Sequence, residues 1–175
     1  MLYLMSVIVI NAGHTKRGKG TGAVKYLTES IETRKIAYEL LELLSDTKHE
    51  VIPAVFDSSS DNLYEAVKLA NNKKAEVFIS IHLNAGGGTG CEVFTWKGQT
   101  TDIGKAILDD LVSLGFKNRG IKDGSNFYVI RNTNYSCEAT LVECCFVDNQ
   151  TDVSKYNYKT IAKAIYNAIC KVYGK

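Results

Sequence analysis

The chain has 175 residues, 45% hydrophobic and 23% charged, with a formal net charge of +2. That size and composition describe one soluble globular domain whose core needs no staples, and so small a charge excludes an electrostatic footprint for nucleic acid or an anionic surface. The five cysteines, Cys91, Cys137, Cys144, Cys145 and Cys170, are odd in number and form no C-x-x-C pair, which argues against a disulfide framework or zinc ribbon and for reduced thiols.

In chain order, Met1 to Ile10 is apolar but lacks a basic flank and a small-residue cleavage site, so no signal peptide is expected. No apolar run approaches the roughly 18 residues of a membrane span, and no membrane insertion is expected. Leu2 to Asn11, rich in β-branched residues, predicts a first strand buried on both faces, with Met5 as an alternative start. Thr15 to Lys25, holding Gly18, Gly20 and Gly22, reads as a polar flexible loop. Its Gly18-Lys19-Gly20-Thr21-Gly22 run lacks the spacing of a phosphate-binding loop. A helix is expected from an N-cap at Thr28 to about Ser45, with Ala37, Leu40, Leu41 and Leu44 as its stripe.

Glu50 to Phe56 reads as a strand that Pro53 moves to an edge. Leu63, Ala66, Val67 and Ala70 mark a second helix. Val77 to Asn84 predicts a central strand with both faces buried, ended by Gly86-Gly87-Gly88; the run to Gly90 is expected to be a mobile loop. Cys91 to Trp96 predicts a short strand, and Ile103, Ile107, Leu111 and Leu114 a third helix. Phe127 to Ile130 and Ala139 to Glu143 predict two more strands, and Ile161 to Val172 a closing helix. Strands alternating with helices predict an α/β fold: one domain over residues 1–175 with a twisted, mostly parallel sheet flanked by helices on both faces. Such sheets place their sites at the carboxyl ends of the strands.

His14 ends the first strand and His82 the central one, so the topology brings both to one sheet edge. Each is read as either a loop residue or a ligand. His49, in a polar turn, reads as a solvated surface residue. Glu143 interrupts an apolar strand, and a carboxylate there is either held by backbone hydrogen bonds or functional. Glu29 stands in the first turn of the first helix, where the helix dipole favours a carboxylate anyway. Two histidines and one carboxylate complete a ligand set for catalytic zinc, which keeps its fourth position open, and a second carboxylate is then available as a base.

Four blocks follow one another: Asn11-Ala12-Gly13-His14; Glu29 after a glycine-rich loop; Phe78-Ile79-Ser80-Ile81-His82-Leu83-Asn84-Ala85; and Leu141-Val142-Glu143-Cys144-Cys145-Phe146-Val147-Asp148-Asn149. In this the chain resembles the zinc-dependent N-acetylmuramoyl-L-alanine amidases of the amidase-3 group, over nearly its whole length. The resemblance implies one Zn2+ held by His14, Glu29 and His82, with Glu143 as the catalytic carboxylate. The reaction it implies is hydrolysis of the amide joining N-acetylmuramic acid to L-alanine in peptidoglycan. Asn84 and Arg131 are candidate substrate contacts. The chain departs from the group in having Ala66 where an arginine is common, Glu138 for a proline and Cys145 for a glycine. The insertion that occludes the site of autoinhibited members is not seen between Ala85 and Cys91, so an open, constitutively active site is expected.

A phage or prophage endolysin of a Gram-positive host is the expected setting. It would be a monomer, made in the cytoplasm without a signal peptide and acting on the wall after release, with no wall-binding domain in this chain. Three other readings stand beside it: a zinc metallopeptidase acting on the stem peptide, a non-catalytic wall-binding module, and a cysteine amidase with Cys144 as nucleophile. Trp96, Tyr128 and Tyr135 are read as core residues or as the lining of a groove.

Overall fold

The computed structural model describes residues 5–18 and 20–175. Leu2 to Leu4, the opening of the expected first strand, and Lys19 of the glycine-rich loop lie outside the described residues. The elements run β1 (Val7–Ala12), α1 (Glu29–Leu44), β2 (Glu50–Ala54), α2 (Asn62–Asn72), β3 (Val77–Asn84), β4 (Cys91–Thr95), α3 (Asp102–Ser113), β5 (Asn118–Asp123), α4 (Tyr128–Arg131), β6 (Glu138–Phe146), α5 (Gln150–Lys155) and α6 (Tyr158–Tyr173), with a 3-10 turn at Trp96–Gly98.

One sheet of six strands has the order β2-β1-β3-β6-β4-β5. The first four strands in that order are parallel, as crossovers through helices require. β4 runs antiparallel to β6, and β5 parallel to β4. The reversal follows from the link between β3 and β4: residues 85–90 are far fewer than the dozen or so a parallel crossover needs. The fold is therefore the α/β class expected from the sequence. Pro53 sits in β2, an edge strand paired only with β1, where its missing N–H costs nothing.

Alternation along the strands divides the core in two. On one face Ile8 and Ile10 of β1, Ile79 and Ile81 of β3 and Val142 and Cys144 of β6 pack against α1, α3 and α6. On the other, Val9, Phe78 and Leu141 pack under α2 and α4. His82 and Glu143 keep the parity of Phe78 and Leu141, so they face the α2–α4 side.

Four expectations are corrected. Phe127 to Ile130 is not a strand. Phe127 is the extended residue before the one-turn helix α4, whose Val129 and Ile130 are buried on the sheet; a four-residue apolar run has too little length to reveal its period. His49 is not solvated: it is 8% exposed, accepts from Ser6 N at Nδ1 (3.2 Å) and donates from Nε2 to the Gly174 carbonyl (3.0 Å), tying the two ends of the described chain together. The glycine run after β3 is held in place. Gly86 N and Gly87 N donate to Asp148 Oδ2 (2.8 and 2.9 Å), and Asn149 Nδ2 donates to the Gly88 carbonyl (2.9 Å). Finally, β5 and α5 were absent from the sequence reading. β5 is a polar edge strand with no apolar alternation, and α5 is a single short helix started by Asn149, which accepts from Asp152 N at 3.1 Å.

Candidate active site

Four of the expected residues meet at the carboxyl edge of the sheet. His14 follows β1, His82 lies near the end of β3, and Glu143 is its register partner on β6. Glu29 opens α1, whose N-terminus reaches over that edge. These side chains, with Asn84, Phe127 and Tyr128, line a cavity of about 330 Å3.

The geometry is built on Glu29. Its Oε1 lies 3.1 Å from both His14 Nε2 and His82 Nδ1 and accepts from Leu83 N at 3.1 Å; its Oε2 accepts from Ala23 N at 2.8 Å. The two imidazoles meet edge to face, with centroids 4.9 Å apart. The candidate ligand atoms of the three residues all lie within 4.8 Å of one another. Bonds of about 2.0–2.2 Å around a tetrahedral zinc place its ligand atoms roughly 3.3 Å apart, close to the two Glu29 distances. The donor set and its spacing therefore fit such an ion.

Local backbone features hold this arrangement. His14 adopts φ 64°, a left-handed conformation that costs an ordinary residue about 1–2 kcal/mol and that turns the chain sharply off β1. Its Nδ1 donates to the Gly20 carbonyl at 3.0 Å, which orients the ring and leaves Nε2 toward Glu29. Gly13 is packed so closely on His82 that a Cβ would sit 2.4 Å from the ring, and a Cβ on Gly22 would sit 2.6 Å from Glu29 Oε2. Buried Arg34 donates from Nη2 to the carbonyls of His14 (3.1 Å) and Phe56 (2.5 Å), from Nη1 to the Ser30 carbonyl (2.6 Å) and from Nε to Asp57 Oδ1 (2.9 Å). It locks the His14 turn to α1. The sequence reading missed Arg34 and Gly13; a basic residue on the helix stripe beside Ile36 and Ala37 was the signal for the first, and nothing local signals the second.

Burial opposes charge on both histidines. At His14 the hydrogen bond and charge of Glu29 outweigh burial and its pKa is raised; at His82 burial prevails and its pKa is lowered. Burial also opposes the Glu29 carboxylate, but its two histidine partners hold its pKa well below the usual carboxylate range.

Glu143 is in the opposite position. Its Oε2 is buried without a hydrogen-bond partner, and burial, reinforced by the charges of Glu29 and Glu92, pushes its pKa up to about 8. Glu92, its antiparallel register partner on β4, is held ionised against burial by Lys122 and Arg119. It also accepts from Asn84 Nδ2 at 2.6 Å, which leaves that candidate substrate contact engaged within the protein. Arg131, the other candidate, lines a neighbouring groove rather than this cavity. Cys144 has the parity opposite to Glu143, so it faces the α1–α3–α6 core. It is fully buried, and burial raises its thiol well above the ordinary range. A thiolate nucleophile is excluded on position and on chemistry.

The family model described as N-acetylmuramoyl-L-alanine amidase matches residues 8–171. The chain is 32% identical over 169 residues to the N-acetylmuramoyl-L-alanine amidase CwlM of Bacillus licheniformis, covering 92% of this chain and 64% of that protein. Two further curated relatives, from Clostridium perfringens, are covered over 51% and 52% of their length, so the chain spans about half to two thirds of these three relatives. Among solved structures, the catalytic domain of the amidase CwlV from Bacillus (Paenibacillus) polymyxa superposes with a TM-score of 0.84 at 29% identity, covering 96% of this chain and 98% of that one. The catalytic domain of an endolysin targeting Clostridia Difficile gives 0.83 at 26% identity, covering 95% and 97%. Matched by the family model over residues 8–171 and sharing its fold with amidase catalytic domains from one end to the other, the chain belongs to the N-acetylmuramoyl-L-alanine amidase family.

Proposed function

We propose that the chain is a zinc-dependent peptidoglycan amidase that hydrolyses the bond between N-acetylmuramic acid and L-alanine. The observation that carries this reading is the meeting of His14, Glu29 and His82 beside a buried glutamate with one unpartnered oxygen. When bound by those three side chains, zinc supplies the Lewis acidity that polarises an amide carbonyl and makes water acidic near neutral pH.

The chain's own residues supply the rest. Glu29 holds both imidazoles in register, and the Gly20 carbonyl fixes the His14 ring. Glu143 takes the proton of the attacking water at its free Oε2 and later delivers it to the leaving amine of L-alanine. Burial and neighbouring carboxylates favour its protonated form in the metal-free chain, and a cation held by His14, Glu29 and His82 would favour the carboxylate that a base requires. Similarity to an endolysin catalytic domain and to the endolysin of Bacillus phage SPP1 supports the reading of a phage-type lysin acting on the wall.

The test is chelation with a variant control. Purified chain should release soluble fragments from peptidoglycan, lose that activity in chelator and regain it with zinc. Glu143→Gln should bind zinc normally yet fall by about 10²–10⁴ in rate. Activity that persists in chelator, or in Glu143→Gln, contradicts the reading.

A further inference from the structure

A second groove of about 370 Å3 lies on the same face of the sheet as the catalytic cavity, beyond α4. The helix divides the two spaces: Tyr128 and Val129 line the catalytic cavity, Ile130 and Arg131 the groove. β6 runs beneath both, with Ala139 at the groove and Glu143 at the cavity, on the same face of the strand. Four residues at about 3.4 Å each put those positions roughly 14 Å apart. A polymer bound at Glu143 and lying along β6 would therefore cross α4 into the groove.

The walls of the groove indicate what it takes. Trp96 is half-buried, and the Tyr135 ring beside it is 98% exposed. Among the described residues the side chains of Gln99, Arg131, Asn134 and Ser136 make no hydrogen bond within the chain, so amide, hydroxyl and guanidinium groups are unspent around two aromatic rings. Arg131 lines the groove and Lys97 Nζ lies 5.7 Å from the Trp96 ring centroid, so two cations stand at its rim. Aromatic surface with unspent polar groups suits a pyranose, whose C–H face stacks on a ring while its hydroxyl and N-acetyl groups bond to the rim.

We infer that this groove binds the N-acetylated glycan strand of the substrate at a distance from the scissile amide. The identity of the polymer rests on the amidase reading above; the groove's preference for a saccharide does not.

Trp96 is the only tryptophan in the chain, so its emission reports on the groove directly. Adding tri-N-acetylchitotriose, a probe without lactyl or peptide groups, should change Trp96 fluorescence saturably. Tyr135→Ala and Arg131→Ala, both exposed positions, should each weaken that binding about five- to tenfold. They should also slow cleavage of polymeric wall more than cleavage of a short muramoyl-peptide. No change in Trp96 emission, or a change with free stem peptide and none with the saccharide, would overturn the proposal. Wild-type binding by both variants would do the same. Saccharide binding by a chain that cleaves no amide would support the groove and sink the amidase reading instead.

Discussion

At the scale of single residues, the site depends on two close approaches and one unpartnered oxygen. Gly13 is there because the His82 ring occupies the space of a side chain, 2.4 Å from where a Cβ would stand. Gly13→Ala should push the imidazole out of line with Glu29 and lower zinc affinity about 10- to 100-fold while leaving the fold intact, as read by metal titration and circular dichroism. Unchanged affinity would mean that His82 is not a ligand. Glu143 carries a pH signature. Its folded pKa of about 8 lies above the ordinary glutamate value, so in the metal-free protein the folded state retains a proton that the unfolded chain has lost. That contribution lowers stability as pH rises from about 4.5 to 8 and is absent below that window. Glu143→Gln should therefore be more stable than the parent chain at pH 8.5 in chelator and equally stable near pH 4. Denaturant melts at the two pH values test this, and a pH-independent difference would show that the carboxyl is not desolvated.

At the scale of elements, the loops of the carboxyl edge are pinned by buried carboxylates. Fully buried Asp152 accepts from Thr89 Oγ1 and Gly90 N at 2.8 Å and from Phe146 N at 2.9 Å, joining the β3–β4 link, the end of β6 and α5. Asp152→Ala should cost about 3 kcal/mol in a chemical melt, because buried donors lose a charged acceptor. A loss under about 1 kcal/mol would mean that water replaces it. These elements also show what the sequence could and could not disclose. β3, α1 and α6 were legible because long apolar runs with a clear period leave one solution. His14, His82 and Glu143 were legible because strand ends and an interrupted apolar strand are visible in one dimension. Glu29 fits the same inventory of two histidines and two carboxylates, but only the family pattern makes it a ligand, since a first-turn glutamate has an ordinary explanation. The polar edge strand β5, the helix turn at Tyr128 and the burial of His49 were hidden because each is decided by partners distant in the chain.

At the scale of the whole molecule, the parallel half of the sheet does what parallel sheets do: it delivers side chains from separate strands to one edge. The short β3–β4 link then reverses the remaining strands, which places Glu92 with Arg119 and Lys122 beside Glu143 and closes the site on that side. The central claim is that this edge cuts one bond. The most direct measurement is mass spectrometry and end-group analysis of purified peptidoglycan digested by the zinc-loaded chain. The account predicts new amino termini of L-alanine on intact stem peptides and glycan strands with no new reducing ends. New termini within the stem peptide would contradict it and make the chain a peptidase.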